Sequence, residues 1–164
     1  MRTALGNAAF AIAGPGLEAV VGPYLLVAAA GSDGLDWPVA LRVLGVVLIV
    51  AGVAVLIDVF ARFAREGRGT PSPAAPADVL MRGGSFGVVR HPMYLATATV
   101  IVGEALAFAQ PVLFVGAAAY VVAMATLVAL VEEPMLARRH GAAFGAYRRA
   151  VPGWVPRPRP RGRR

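Results

Sequence analysis

Four long hydrophobic stretches dominate the pattern along this chain, separated by segments rich in arginine, glycine and proline. They cover residues 8–30, 39–60, 93–108 and 112–131. A helix needs about 20 apolar residues to cross the hydrocarbon core of a bilayer, so the second and fourth stretches are long enough. The third is shorter and joins the fourth through Ala109-Gln110-Pro111, which predicts a tight helical hairpin. The pattern therefore predicts an all-α, polytopic membrane protein with about four transmembrane helices.

The first stretch differs from the others because glycines and prolines interrupt it. Gly14-Pro15-Gly16 and Gly22-Pro23 break the apolar run, and proline kinks a helix by removing a backbone hydrogen bond. Neighbouring membrane helices can satisfy the backbone groups that are freed, so the stretch either crosses the bilayer fully or bends at its prolines. Glu18 lies between the two breaks. It either faces a cavity or pairs with an arginine, and we favour the pairing.

The arginines predict the orientation of the chain in the membrane. All 16 basic residues are arginine, and only Arg42 lies near the side opposite to the others. Since cytoplasmic loops of membrane proteins are enriched in arginine and lysine, we expect both termini in the cytoplasm. The expected location is the inner (plasma) membrane of a bacterium.

The chain divides into one membrane domain, residues 1–150, and a tail, residues 151–164. The part that follows Glu133 combines apolar residues with arginines up to Ala150. This composition predicts an amphipathic cytoplasmic segment that lies in the membrane–water interface or folds over a site. From residue 151 the tail is rich in proline and arginine, and we expect it to be disordered and close to anionic lipid headgroups.

Composition narrows the possible functions. Hydrophobic residues make up 58% of the 164 residues, with a mean hydropathy of +0.67, where a soluble domain has about 45–50%. The chain has no cysteine and two histidines, which argues against a metal site. Its net charge of +7 comes from arginines beside hydrophobic stretches. We therefore interpret the charge as membrane orientation and expect no nucleic-acid partner.

Two polar motifs lie at the predicted cytoplasmic ends of the third and fourth stretches. Arg90-His91-Pro92-Met93-Tyr94 begins the third, and Glu132-Glu133 ends the fourth. Ionisable groups beside lipid are costly and commonly functional, and free backbone N–H groups at a helix start favour polar or anionic ligands. A purely structural interpretation is also open: Arg90 anchors the helix, and the glutamates pair with Arg90, Arg138 or Arg139.

The order and spacing of several motifs resemble the isoprenylcysteine carboxyl methyltransferase and phospholipid methyltransferase superfamily. These are integral membrane enzymes that depend on S-adenosylmethionine. The resemblance spans residues 65–157, and its motifs are Gly67-x-Gly69-Thr70-Pro71, Leu80-x-x-Gly83-Gly84-x-Phe86, the Arg-His-Pro-Met-Tyr run, Glu132-Glu133-x-x-Leu136, Phe144-x-x-Tyr147, Val151-Pro152 and Trp154-x-Pro156.

The resemblance implies a set of cofactor-binding residues. They are Asp78, Val79, Leu80, Met81, Phe86, Arg90, His91, Pro92, Met93, Tyr94 and Glu132. It implies no single catalytic base. If the methyl acceptor has to lose a proton, Glu104, Glu133 and His91 are the candidate bases.

The methyl acceptor implied by the resemblance is a lipid or another amphiphilic small molecule. The prenylcysteine branch carries an arginine one helical turn before the first glutamate, where this chain has Val128. A carboxylate acceptor would therefore lack a natural partner, and a lipid amine, a small thiol or another amphiphile is at least as plausible.

Two other functions remain open from the sequence. Membrane sterol and steroid reductases share an Arg-His-Pro-x-Tyr-like corner and bind NADPH, although Met93 and Ala96-Thr97 depart from their pattern. A non-enzymatic membrane scaffold is the third interpretation.

Overall fold

A computed structural model describes residues 12–31, 34–66 and 79–156. The α-helices of these ranges are named α1 to α6 and cover Gly22–Ala30, Val39–Glu66, Pro92–Ala107, Val112–Leu127, Glu133–His140 and Ala142–Ala150. A π-helical segment, Ile12–Val21, precedes α1, and another, Val128–Glu132, joins α4 to α5. No strand occurs in the described ranges, so the all-α prediction is confirmed for them.

Two continuous helices are long and apolar enough to cross a membrane. They are Val39–Glu66, with 28 residues, and Val112–His140, with 29 residues. Only 17% of the most apolar window of each is buried, whereas the core helix of a soluble protein would be mostly buried. Large apolar side chains such as Val50 and Val122 therefore face outwards, as they do where lipid is the solvent. The remaining predicted stretches form shorter apolar helices, Gly14–Ala30 and Pro92–Ala107.

Both long helices extend beyond their predicted ends. The second stretch was expected to end at residue 60, but Asp58, Arg62 and Glu66 form ion pairs at i, i+4 spacing that support another turn and a half. The fourth was expected to end at residue 131. It continues because Pro134 lies in the first turn of α5, where a missing N–H is tolerated.

Glycines let α2 and α3 pack with their backbones in contact. A Cβ atom at Gly52 would lie 2.8 Å from the carbonyl oxygen of Ala96, and one at Gly103 would lie 2.8 Å from that of Gly45. Small residues at such positions are how membrane helices gain close van der Waals contact. The contact aligns the end of α2 with the beginning of α3.

The predicted hairpin between α3 and α4 is confirmed. Ala109 adopts a left-handed conformation with φ 53°, and the Gln110 N–H donates to the carbonyl oxygen of Ala105 at 2.9 Å. Since the two helices run antiparallel, the beginning of α3 and the π-helical segment after α4 lie at the same end of the bundle. This places Arg90 and His91 beside Glu132 and Glu133.

The amphipathic C-terminal segment folds back onto the loop that precedes α3. Gly141, with φ 50°, separates α5 from α6. Phe144, Tyr147 and Val151 form a buried cluster against Leu80 and Leu136. The segment therefore packs against the loop that precedes α3.

Candidate active site

A salt bridge joins the two polar motifs. Arg90 donates from Nη2 to Oε1 of Glu133 at 2.5 Å and from Nε to the same oxygen at 3.2 Å. Its Nη1 donates to the carbonyl oxygen of Val151 at 2.7 Å. Only 12% of the Arg90 side chain and 19% of that of Glu133 are exposed, so the pair is largely withdrawn from solvent. Of the arginines considered as partners of the glutamates, Arg90 is the one that binds Glu133.

His91 lies between the two glutamates and is buried, with 3% of its surface exposed. Its Nε2 lies 3.3 Å from Oε1 of Glu133, within hydrogen-bonding geometry. Its Nδ1 lies 3.3 Å from Oε1 of Glu132, but the angles do not form a hydrogen bond. This buried nitrogen thus has no hydrogen-bond partner within the described ranges.

Tyr94 completes the contacts of Glu132. Its hydroxyl donates to Oε2 at 2.8 Å. Within the described ranges, Arg90 pairs with Glu133, whereas Glu132 contacts the Tyr94 hydroxyl and the His91 ring. A carboxylate that no guanidinium pairs with there can attract a cationic ligand.

The segment after α6 covers this corner. The N–H groups of Arg90 and His91 donate to the carbonyl oxygens of Pro152 and Gly153, at 2.8 and 3.2 Å. The Trp154 ring lies 5.3 Å from that of His91 and 6.3 Å from that of Tyr94, centroid to centroid. Trp154 was not among the predicted site residues. The available signal was the motif Trp154-x-Pro156, which is part of the family resemblance.

A second network fixes the turn that carries Phe86. Asp58 accepts hydrogen bonds from the N–H and the hydroxyl of Ser85, at 3.1 and 2.6 Å, and from Nε of Arg62 at 3.0 Å. Gly84, with φ 53°, lies against the Arg62 guanidinium where a Cβ would collide. The Phe86 ring then meets Phe63 edge to face at 5.9 Å. Asp58 and Ser85 were likewise absent from the predicted site.

Most of the predicted cofactor-binding residues line one cavity of about 40 Å³ between α2, α3 and the π-helical segment. Its lining includes Phe86, Arg90, His91, Pro92, Met93, Tyr94 and Glu132, together with Val59 and Phe63. Small-molecule sites measure roughly 300–1,000 Å³, so a nucleoside-sized ligand requires the side chains here to move apart.

The other predicted residues lie elsewhere. Met81 packs in the buried cluster beside this cavity, Leu80 packs against α6, and Val79 is exposed. Asp78 lies outside the described residues, as does the motif at residues 67–71. Glu104 is twelve residues along α3 from Pro92, about 18 Å at 1.5 Å per residue.

Val128 lies on the membrane side of the corner. It is buried in a cluster with Val59, Phe63, Met81, Met93 and Tyr94. The position that carries an arginine in the prenylcysteine branch is therefore apolar and packed.

Two larger cavities open between the helices. One, of about 330 Å³, lies between α2 and α3 and has a mostly apolar lining that includes Gly52, Val55 and Leu95. The other, of about 230 Å³, lies between the first helical segment, α3 and α4, and includes Glu18 and Tyr120. The Tyr120 hydroxyl donates to Oε2 of Glu18 at 3.1 Å. Within the described ranges no arginine pairs with Glu18, and its side chain lines this cavity, which was the other possibility left by the sequence.

The fold is helical in the described ranges, with two helices long and apolar enough to cross a membrane and an ionisable corner at the ends of its apolar helices. The chain belongs to the phospholipid methyltransferase family, which matches residues 40–143, more than half of its length. The match includes both polar motifs and confirms the resemblance found from the sequence. Neither the curated proteins nor the solved structures that were compared with the chain give a match.

Proposed function

We propose that this protein transfers the methyl group of S-adenosylmethionine to a lipid or another amphiphilic acceptor within the membrane. The observation that carries the proposal is the corner of His91, Tyr94 and Glu132, in which aromatic rings surround a carboxylate that is held by the Tyr94 hydroxyl. Family membership supports methyl transfer in general. S-adenosylmethionine as the cofactor and an amphiphile as the acceptor are what the family resemblance implies.

The residues at the corner fit this cofactor. S-adenosylmethionine carries a sulfonium cation, which the Glu132 carboxylate would attract. It also has ribose hydroxyls that can donate hydrogen bonds to that carboxylate, and an adenine ring that can stack on aromatic faces. The proposed binding residues are Val79, Leu80, Met81, Phe86, Arg90, His91, Pro92, Met93, Tyr94 and Glu132, with Asp78 expected from the family pattern.

The cofactor supplies an already activated methyl group, so the protein mainly has to align the reactants and exclude water. Trp154 and the segment around it cover the corner on one side, and the cluster around Val128 closes it on the other. Of the two glutamates proposed as bases, Glu133 lies at the corner, where Arg90 and His91 already occupy its carboxylate. We assign Glu133 to positioning His91.

We further propose four membrane-crossing segments with both termini and the cofactor site in the cytoplasm of a bacterial cell. The outward-facing apolar surfaces of α2 and α4 and the one-sided distribution of arginines support this arrangement. The acceptor would enter laterally between helices, since apolar cavities open between α2 and α3 and beside α4.

The test is calorimetric binding of S-adenosylmethionine and S-adenosylhomocysteine to the detergent-purified protein. The second ligand lacks the sulfonium charge, so Glu132→Gln should weaken binding of the first ligand about tenfold more than binding of the second. Asp36→Asn is the control, because Asp36 is exposed and pairs with Arg42 near the beginning of α2, whereas the corner lies near the end of that helix. Equal affinities of wild type and Glu132→Gln for S-adenosylmethionine would overturn the proposal, and saturable binding of NADPH instead would assign the chain to the reductases.

A further inference from the structure

We propose that residues 151–154 form a gate over the cofactor corner, and that Arg90 is the positioning residue that holds this C-terminal gate closed. The inference rests on the proposed methyltransferase function, since the gate controls the entry and release of its cofactor. It gives Arg90, which the family resemblance implies as a binding residue, a specific role. Arg90 affects the cofactor through the C-terminal gate rather than by contact with the ligand.

The cavity at the corner is small because its walls lie close together. It measures about 40 Å³, whereas small-molecule sites measure roughly 300–1,000 Å³. Residues that line it, including Val59, Phe63 and Tyr94, belong to the buried cluster against which Trp154 packs. A part of the protein around this cavity must therefore move before a nucleoside can enter.

The helical walls of the cavity are fixed by their packing. A Cβ atom at Gly52 would lie 2.8 Å from the carbonyl oxygen of Ala96, so α2 and α3 meet through their backbones. Val128 is 3% exposed and lies within the continuous helix Val112–His140. Because interiors are close-packed, displacing either wall would separate many buried contacts at once.

The C-terminal gate lacks such restraints. Its residues belong to no helix or strand, and Pro152, Gly153 and Trp154 are each partly exposed. The carbonyl oxygens of Pro152 and Gly153 accept from the N–H groups of Arg90 and His91, at 2.8 and 3.2 Å. Segments with few buried contacts open at a lower free-energy cost than packed helices do. The C-terminal gate is therefore the part that moves.

The Arg90 guanidinium joins the C-terminal gate to the helical part of the site. Its Nε and Nη2 donate to Oε1 of Glu133, while Nη1 donates to the carbonyl oxygens of Arg148 and Val151, at 3.3 and 2.7 Å. These carbonyls lie in the last turn of α6 and at its C-cap, where a helix lacks internal donors and favours a cation. Each guanidinium nitrogen thus has a protein acceptor, which suits a structural link between two segments.

Trp154 is the side chain with which the C-terminal gate covers the corner. Its ring centroid lies 5.3 Å from that of His91 and 6.3 Å from that of Tyr94. Gly153 lets the backbone pass close to the latch, since a Cβ atom there would lie 3.3 Å from Nη2 of Arg90. Closure of such a segment over a ligand shields it from water, and opening controls its release.

A latch that acts in both the free and the bound protein has a distinct kinetic effect. Arg90 stabilises the closed gate before the ligand arrives, which slows association, and over a bound ligand, which slows dissociation. Arg90→Lys should therefore accelerate both steps by about tenfold, as expected for the loss of hydrogen bonds from a charged group, while Kd changes by less. A side chain that only contacts the ligand would change mainly the dissociation rate.

The first measurement is acrylamide quenching of Trp154 fluorescence in the full-length, detergent-purified protein without ligand. The chain has two tryptophans, so Trp37→Phe leaves Trp154 as the only indole. In this background, Arg90→Lys keeps a positive charge for Glu133 but lacks the forked guanidinium that reaches both segments. We expect quenching to increase at least about twofold in Arg90→Lys, because the indole becomes more accessible as the segment opens.

The matched control for this measurement is Arg138→Lys, the same substitution at an exposed position of α5. It should leave the quenching of Trp154 unchanged. Wild-type quenching in a folded Arg90→Lys protein, or an equal increase in both variants, would overturn the latch.

The second measurement mixes these proteins with S-adenosylhomocysteine in a stopped-flow instrument and follows Trp154 emission. The observed rate should level off at high ligand concentration, since opening precedes binding. The limiting rate should rise about tenfold in Arg90→Lys. A rate that stays linear in ligand concentration, or an Arg90→Lys protein that dissociates faster without associating faster, would overturn the gate.

Calorimetry with S-adenosylmethionine separates this inference from the proposed function. If the protein binds the cofactor but Arg90→Lys changes neither the quenching nor the rates, the gate is wrong and the proposed function stands. If the protein binds no S-adenosyl ligand, the proposed function fails and the gate loses its cofactor. The quenching measurement then decides by itself whether Arg90 holds the C-terminal segment closed.

Discussion

Trp154 covers His91, with the two ring centroids 5.3 Å apart and the planes inclined by 33°. The indole belongs to the segment after α6, and the imidazole belongs to the residue that begins α3. Backbone hydrogen bonds from Arg90 and His91 to Pro152 and Gly153 hold the two segments together. The C-terminal segment is therefore part of the site wall rather than a separate appendage.

Trp154→Ala should weaken binding of S-adenosylmethionine about three- to tenfold, because an aromatic contact contributes about 0.5–1.5 kcal/mol beyond its buried area. Calorimetry on the purified variant measures the change. Val155→Ala is the control, since Val155 is 73% exposed and adjoins Trp154 in sequence. Equal losses of affinity in both variants would show that the segment affects binding only through the stability of the fold.

Asp58 should affect the affinity of the proposed cofactor site indirectly, through the turn that precedes Phe86. Its carboxylate holds the N–H and hydroxyl of Ser85 and so fixes the turn before Phe86. Since hydrogen bonds to a charged group contribute about 1.5–3 kcal/mol each, Asp58→Ala should raise the Kd for S-adenosylmethionine by about tenfold or more. Asp58→Asn keeps one acceptor oxygen and should recover part of the loss. Unchanged affinity in Asp58→Ala would show that the turn is held by other contacts.

The helical architecture and the meeting of the two polar motifs at one end of the bundle could be predicted from the sequence, because each depends on local pattern. The length of the apolar stretches predicts α2 and α4, and Ala109-Gln110-Pro111 predicts the hairpin between α3 and α4. That hairpin brings His91 close to Glu132. The partner of Glu18 could not be predicted, since an arginine and Tyr120 are equally available to a carboxylate until the packing of the first helical segment is known.

The same limit applies to contacts between distant segments. Asp58 and Ser85 are 27 residues apart, and no periodicity joins them. Trp154 reaches His91 only because Gly141 turns α6 back over the loop before α3. These contacts depend on tertiary packing, which a pattern of apolar and polar positions does not encode.

Gly45→Ala should destabilise the bundle. A Cβ atom there would overlap the carbonyl oxygen of Gly103 at 2.5 Å and the backbone of Ala107, which are not free to move aside. Forcing extra volume into a packed contact typically costs about 1–3 kcal/mol, so the thermal unfolding midpoint in detergent should fall. Gly145→Ala is the contrasting variant, because its Cβ would meet only the Arg149 guanidinium at 3.6 Å. Alanine is better than glycine in a helix by about 1 kcal/mol, so Gly145→Ala should leave the midpoint unchanged or raise it.

Tyr147 should make stability depend on pH in the alkaline range. Burial raises the pKa of its hydroxyl to about 12, and that hydroxyl donates to the carbonyl oxygen of Phe86 at 2.7 Å. An unfolded tyrosine has a pKa of about 10, so the folded state holds its proton more tightly. The stabilisation is fully present below pH 10 and is lost as the pH rises from 10 towards 12. Tyr147→Phe should therefore be less stable than wild type at pH 8, by about 0.5–1.5 kcal/mol for one hydrogen bond. Chemical unfolding at pH 8 and pH 11 should show this difference shrinking at the higher pH, and a difference independent of pH would contradict the role of the hydroxyl proton.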